Sequence, residues 1–140
     1  MKRNDFYNVL ALIFLFLSVT AQNNDNSGII RVLSFNIFHG QTMNRDYNLD
    51  VIAQVIKDCK PDLVALQEVH YKTKMAKGYD ITTELAYRTK MIPLFAKAIK
   101  REPVAELSEY GNAILSNWSF LQTRKIDLPH SPDREKRVVM

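Results

Sequence analysis

The chain has 140 residues, 46% of them hydrophobic and 24% charged, with a formal net charge of +4 and one cysteine. That length holds one ordinary domain, and the composition excludes a wholly disordered chain. The mild positive charge permits an anionic substrate without a dense Lys/Arg run that would call for nucleic acid, and a lone cysteine excludes an internal disulfide.

The first residues read as outside the fold. Met1-Lys2-Arg3 is basic, and residues 9–19 form an apolar run of 11, the length of a signal-peptide core and short for a bilayer span. Val19 and Ala21 suit the positions before a signal-peptidase cut. Residues 1–21 are therefore expected to be an export signal, giving a secreted or periplasmic protein with no stable membrane span after cleavage. An uncleaved anchor is the competing reading. Residues 22–28 are polar and read as a flexible lead-in.

Residues 29–37 are expected to form a strand, with Val32, Ser34 and Asn36 on one face and Leu33, Phe35 and Ile37 on the other. Residues 40–47 read as a loop. Asn48 is a candidate N-cap for a helix carrying Leu49, Ile52, Ala53, Ile56 and Cys59 at helical spacing, with Val55 widening the stripe. Cys59 is thereby expected to be a buried, inert thiol, and Pro61 ends the helical region. Residues 63–69 read as a second strand, which makes a strand–helix–strand crossover. A basic loop follows over 72–78. Asp80 can cap a helix bearing Ile81, Leu85, Tyr87 and Arg88. Residues 92–99 read as a strand with Pro93 near its start, residues 100–109 as a polar turn, and residues 110–118 as another strand. The alternating stretch 120–128 is expected to pair with that strand as a hairpin. After a loop over 129–133, "REKRVVM" begins one more strand.

Two polar residues fall at the ends of core strands, Asn36 and Glu68. A buried amide without partners costs about 1–3 kcal/mol, so Asn36 is either bonded to backbone or aimed at a ligand. Ligands of open α/β sheets bind at the carboxyl ends of strands. There, a carboxylate and an amide oxygen make a hard-oxygen site of the kind that holds Mg²⁺ with several waters.

Three stretches, "RVLSFNIFHG", "PDLVALQEV" and "YGNAILS", occur in that order, and together they resemble the endonuclease/exonuclease/phosphatase (DNase I-like) superfamily. The resemblance runs from about Ile29 to the end. It implies an α/β fold, here the N-terminal part of a four-layer sandwich of two mixed sheets with helices outside. It also implies hydrolysis of phosphodiesters or phosphomonoesters with Mg²⁺ or Mn²⁺. By the resemblance, Glu68 is the metal ligand and Asn36 the amide beside it, contacting metal or scissile phosphate, and both are catalytic candidates. Family members are longer, and the family's Asp-x-Asn and Ser-Asp-His motifs, the latter supplying the His that activates water, do not occur in these 140 residues. Residues 29–140 are thus expected to be a truncated, incomplete domain, inactive by itself. The rival expectations are an exported non-catalytic phosphate- or metal-binding module and a pseudogene product.

Other residues carry two readings each. His39 is a substrate-binding candidate facing the phosphate or supporting the metal site, against a solvated loop histidine. His70, where an acidic residue is expected after "QEV", reads as a loop residue. Asn112 either points into the cleft to bind substrate or serves turn chemistry. Tyr110 either packs or rims the substrate. Lys72, Lys74 and Lys77 read as a solvated loop, with phosphate steering as the sharper reading. "NWS" at 117–119 fits a glycosylation sequon. The expected partner is a phosphate ester, whether nucleic acid, lipid head group or inositol phosphate.

Overall fold

The computed structural model describes residues 28–100 and 109–140, so the expected export signal and nearly all of the lead-in lie outside the described residues, as does most of the polar turn. Among the described residues the elements are β1 (Val32–Asn36), a short 3-10 turn (Phe38–Gly40), α1 (Leu49–Cys59), β2 (Leu63–Tyr71), α2 (Ile81–Thr89), β3 (Ile92–Lys100), β4 (Glu109–Ser116), β5 (Ile126–Asp127) and β6 (Val138–Val139). Strands β1 to β4 make a mixed sheet in the order β1-β2-β4-β3. β1 runs parallel to β2 through the α1 crossover, and β4 is antiparallel to both of its neighbours. This is a partial version of the expected α/β architecture.

Both helices start where capping chemistry dictates. Asn48 accepts hydrogen bonds from the N–H groups of Asp50 and Val51, both at 3.2 Å. Asp80 accepts from Thr83 N at 3.2 Å. Each cap contributes about 1 kcal/mol, less than one buried aliphatic side chain at about 1.5–3 kcal/mol, so packing decides the layer. Ile52, Ala53 and Ile56 of α1 and Ile81, Leu85 and Ala86 of α2 pack with Val64, Leu66, Val69, Ala113 and Leu115 of the sheet. Strand alternation then sends Asn36, Gln67 and Asn112 to the opposite face, where β6 lies against β3 and β4.

Several expectations need correction. β1 begins at Val32, because the Arg31 N–H is taken by the Asp62 carboxylate at 2.8 Å, and Ile29 and Ile30 stay exposed. Stretch 120–128 does not form a hairpin with β4. Both edges of β4 are already paired, so only Ile126–Asp127 is extended, and it pairs with β6 in a separate two-stranded sheet. Cys59 is exposed: it is the last residue of α1, and the chain turns left-handed at Lys60 before the helix can carry it over the sheet. His70 belongs to β2 and is buried. Among the described residues no helix is long and apolar enough to cross a membrane.

Candidate functional site

The site is made by a β-bulge. Leu66 pairs with Ala113 and Val69 with Gly111, so Gln67 and Glu68 together face Asn112. A bulge bends its strand and re-aims a side chain, and Glu68 sits there with φ 60°. On the other side Asn36 pairs with Gln67. The bulge therefore gathers Asn36, Gln67, Glu68 and Asn112 into one row across the sheet. A cavity of about 340 Å³ lies over that row, closed by Tyr110 and by the segment from Glu135 to Val139. Lys136 and Arg137 bring two cations to its wall and Glu68 and Glu135 two carboxylates, a mixed lining that can hold both a cation and a phosphate oxygen.

The sequence candidates meet different fates within it. Asn36 is exposed and lines the cavity; its Oδ1 accepts from Phe38 N at 2.9 Å. The expected buried amide is thus an exposed one, oriented by its own backbone turn, with its NH₂ the group suited to a phosphate oxygen. Asn112 also lines the cavity, and its Nδ2 donates to Val138 O at 2.9 Å, so it ties β6 down over the row. Gln67, which the sequence reading passed over, donates to Ser34 Oγ at 3.2 Å and to Ala65 O at 3.0 Å. Lys136 and Arg137 were also passed over, because a strand start at the chain's last residues gave no sign of lying on the Asn36 row.

His39 stands beside Glu68. Its Nε2 lies 3.2 Å from Glu68 Oε2, an ion-pair distance. Yet Oε2 is buried and accepts no hydrogen bond among the described residues, because the two groups are misaligned. On its other side His39 Nδ1 lies 2.9 Å from His70 Nε2, with the two rings edge-on at 81°. His70 Nδ1 is 2.8 Å from Thr73 Oγ1, which accepts from Ala76 N at 3.1 Å. Phe38 (φ 46°) and His39 (φ 61°) join Glu68 in the left-handed region. Each such non-glycine conformation costs about 1–3 kcal/mol, and strain of this kind clusters where function requires a fixed geometry. The apolar spacing Val64, Leu66, Val69 was the available signal for the bulge. The histidine after "QEV" was the signal for the relay.

A second cleft of about 490 Å³ lies on the helix side, between Tyr47, Tyr79, Lys77, Glu84 and Arg88. The Lys72–Gly78 loop is not simply solvated: in this cleft Lys77 Nζ sits 5.1 Å from the Tyr47 ring centroid, and outside it Lys72 Nζ sits 5.2 Å from that of Tyr71. Burial, with help from Glu84 and Tyr79, pushes the Tyr47 phenol up to about 12. The Glu84 and Asp50 carboxylates raise the Arg88 guanidinium further. In the 117–119 sequon, Asn117 Nδ2 already donates to Pro61 O at 3.2 Å.

Residues 33–140 match the model of the Endonuclease/Exonuclease/phosphatase family. Among solved structures, the chain is similar to the endonuclease/exonuclease/phosphatase from Beutenbergia cavernae DSM 12333, with TM-score 0.59 and 20% identity, covering 78% of this chain and 36% of that one. It is also similar to an endonuclease/exonuclease/phosphatase family protein from Leptotrichia buccalis C-1013-b, with TM-score 0.56 and 12% identity, covering 79% and 47%. At these identities the likeness shows the fold alone, and this chain spans less than half the length of either structure. No curated protein matches.

Proposed function

Because the chain belongs to the endonuclease/exonuclease/phosphatase family, we propose that the cavity over the β2 bulge binds a phosphate ester beside a divalent cation, Mg²⁺ or Mn²⁺, as part of an exported metal-dependent phosphoesterase. One observation supports this most: a strained bulge holds Glu68 at the cavity with a buried carboxylate oxygen that accepts no hydrogen bond among the described residues. A carboxylate oxygen buried without a hydrogen bond, with only a misaligned imidazole 3.2 Å away, is costly, and a cation would offset that cost. The residues fit such an ion as a sparse site. Among the described residues no three His, Cys, Asp or Glu side chains gather as a metal cage, and a hard cation that keeps waters and leans on substrate phosphates needs only one or two carboxylates.

Each residue then has a task. Glu68 would hold the cation, which when bound polarises the phosphoryl oxygens and stabilises the leaving oxyanion. The Asn36 NH₂ would donate to a phosphate oxygen, and Lys136 and Arg137 would draw the ester in. Asn112, expected to bind substrate, would do so indirectly, holding the β6 backbone that carries those cations. The remaining need is a base for the attacking water. His39 and His70 are bonded to each other, and His130 is on the exposed loop. That supports binding without turnover by these 140 residues, the reading closest to a phosphate- or metal-binding module.

Hydrolysis of bis-p-nitrophenyl phosphate and p-nitrophenyl phosphate, with Mg²⁺, Mn²⁺ or chelator, beside Mn²⁺ binding, tests the proposal. The expected result is cation binding that Glu68→Ala abolishes, with no turnover. Turnover lost in Glu68→Ala would refute the inactivity, and cation binding indifferent to Glu68→Ala would refute the site.

A further inference from the structure

We propose that His39 is a second protein ligand to the cation, through Nε2, and that His70 positions it; this rests on the reading of Glu68 given above. Two ligand atoms each about 2.1 Å from one ion lie about 3.0 Å apart at an octahedral right angle and about 3.4 Å apart at a tetrahedral angle. His39 Nε2 and Glu68 Oε2 are 3.2 Å apart, between those limits. The pair is not a histidine–carboxylate hydrogen bond, since Oε2 accepts none among the described residues. A ring nitrogen and a carboxylate oxygen set side by side without a bond between them are what a shared cation requires.

The proton pattern behind His39 permits this role. Only one hydrogen fits between His39 Nδ1 and His70 Nε2 at 2.9 Å. If it belongs to His39, then neutral His70 carries its own proton on Nδ1 and donates it to Thr73 Oγ1, 2.8 Å away. Thr73 Oγ1 has a second lone pair for Ala76 N–H. His39 Nε2 is then bare and can ligate. Metal-bound histidines donate their other N–H in this manner, which fixes tautomer and ring orientation. His70, 1% exposed, and Thr73, 6% exposed, form a support with little room to move. A mixed N,O pair also favours Mn²⁺ or Zn²⁺ over Mg²⁺, which prefers oxygen alone.

The test uses the full chain with Mn²⁺ alone and electron paramagnetic resonance, following both affinity and nitrogen coupling to the ion. The expected result is Glu68-dependent binding with imidazole nitrogen coupling, and a preference for Mn²⁺ over Mg²⁺. His39→Asn should remove the coupling while weaker binding persists; His130→Asn should change neither. His70→Phe should weaken binding about 10–100-fold, and His70→Asn, whose amide can still accept from His39 Nδ1, should restore much of it. The coupling in the unsubstituted protein decides the matter even if a His70 variant fails to fold. Glu68-dependent binding without nitrogen coupling overturns this proposal and leaves the Glu68 reading standing. Binding that ignores Glu68→Gln overturns both.

Discussion

The bulge at Glu68 should make glycine more stabilising than alanine at that position, the reverse of an ordinary strand. Glu68→Ala and Glu68→Gly both delete the carboxylate, so the difference between them is a backbone quantity. In a strand interior, alanine exceeds glycine by about 0.5–1 kcal/mol, because glycine loses more freedom on folding. At φ 60° a Cβ costs about 1–2 kcal/mol. From the mid-values of the two effects, Glu68→Gly should be more stable than Glu68→Ala by about 0.7 kcal/mol. With a urea slope of about 1–3 kcal/mol per molar for a small protein, the unfolding midpoints should differ by roughly 0.2–0.7 M. Urea unfolding followed by circular dichroism, with chelator present throughout, measures this directly. Equal midpoints, or alanine ahead, would show that Glu68 is not held in the left-handed region. Backbone strain at the bulge would then not be what aims its side chain at the cavity.

Gly111→Ala should destabilise by about 2–3 kcal/mol, near the upper end for overpacking, because a Cβ there would sit 1.9 Å from Ala96 O, a backbone atom; thermal unfolding reads it, and an unchanged melting temperature would contradict the β3–β4 register. Asn112→Ala should release β6 at a cost of about 1 kcal/mol for the lost hydrogen bond to Val138 O, seen as faster proteolysis after Lys136 and Arg137. Tyr47→Phe should flatten the alkaline limb of stability: the folded phenol ionises near 12 and the unfolded one near 10, so the native protein loses stability as pH rises from 10 through 12, and the variant does not. Since the Tyr47 hydroxyl is buried with no partner among the described residues, the variant should be at least as stable at pH 7.

What could be read from the sequence follows the reach of local rules. The caps at Asn48 and Asp80, the α1 stripe of Leu49, Ile52, Ala53 and Ile56, and the parallel pairing of β1 with β2 depend on local patterns and appear as expected, whereas Val55, expected to widen the stripe, is exposed and β1 is shorter than expected. The hairpin expected for 120–128 failed because it depended on something no local pattern encodes, that β3 would already occupy the far edge of β4. Cys59 failed for a related reason: helical spacing assigns a face but does not reveal that the last residue outruns the sheet beneath it.

The placement of the site residues was the deepest of these gaps, and one of its signals lay in plain view. Strict alternation from Val64 and Leu66 sends Glu68 and His70 to the core and Val69 to the open face. Burying Glu68 unpaired and exposing Val69 would both be unfavourable. One extra residue at Gln67-Glu68 resolves the conflict: Val69 returns to the core, and Glu68 turns to the cavity with a left-handed backbone. The spacing of buried apolar residues, two and then three, already required that insertion. Once the bulge exists, the register of β1 and β4 leaves Asn36 and Asn112 no position but the same row. The same slip moves His70 off the core face to the other side of β2, where it is buried against His39. The chemistry of the site and the break in the strand's period are therefore one feature: a β2 restored to strict alternation, for example by deleting Gln67, should lose cation binding and the His39–His70 contact together.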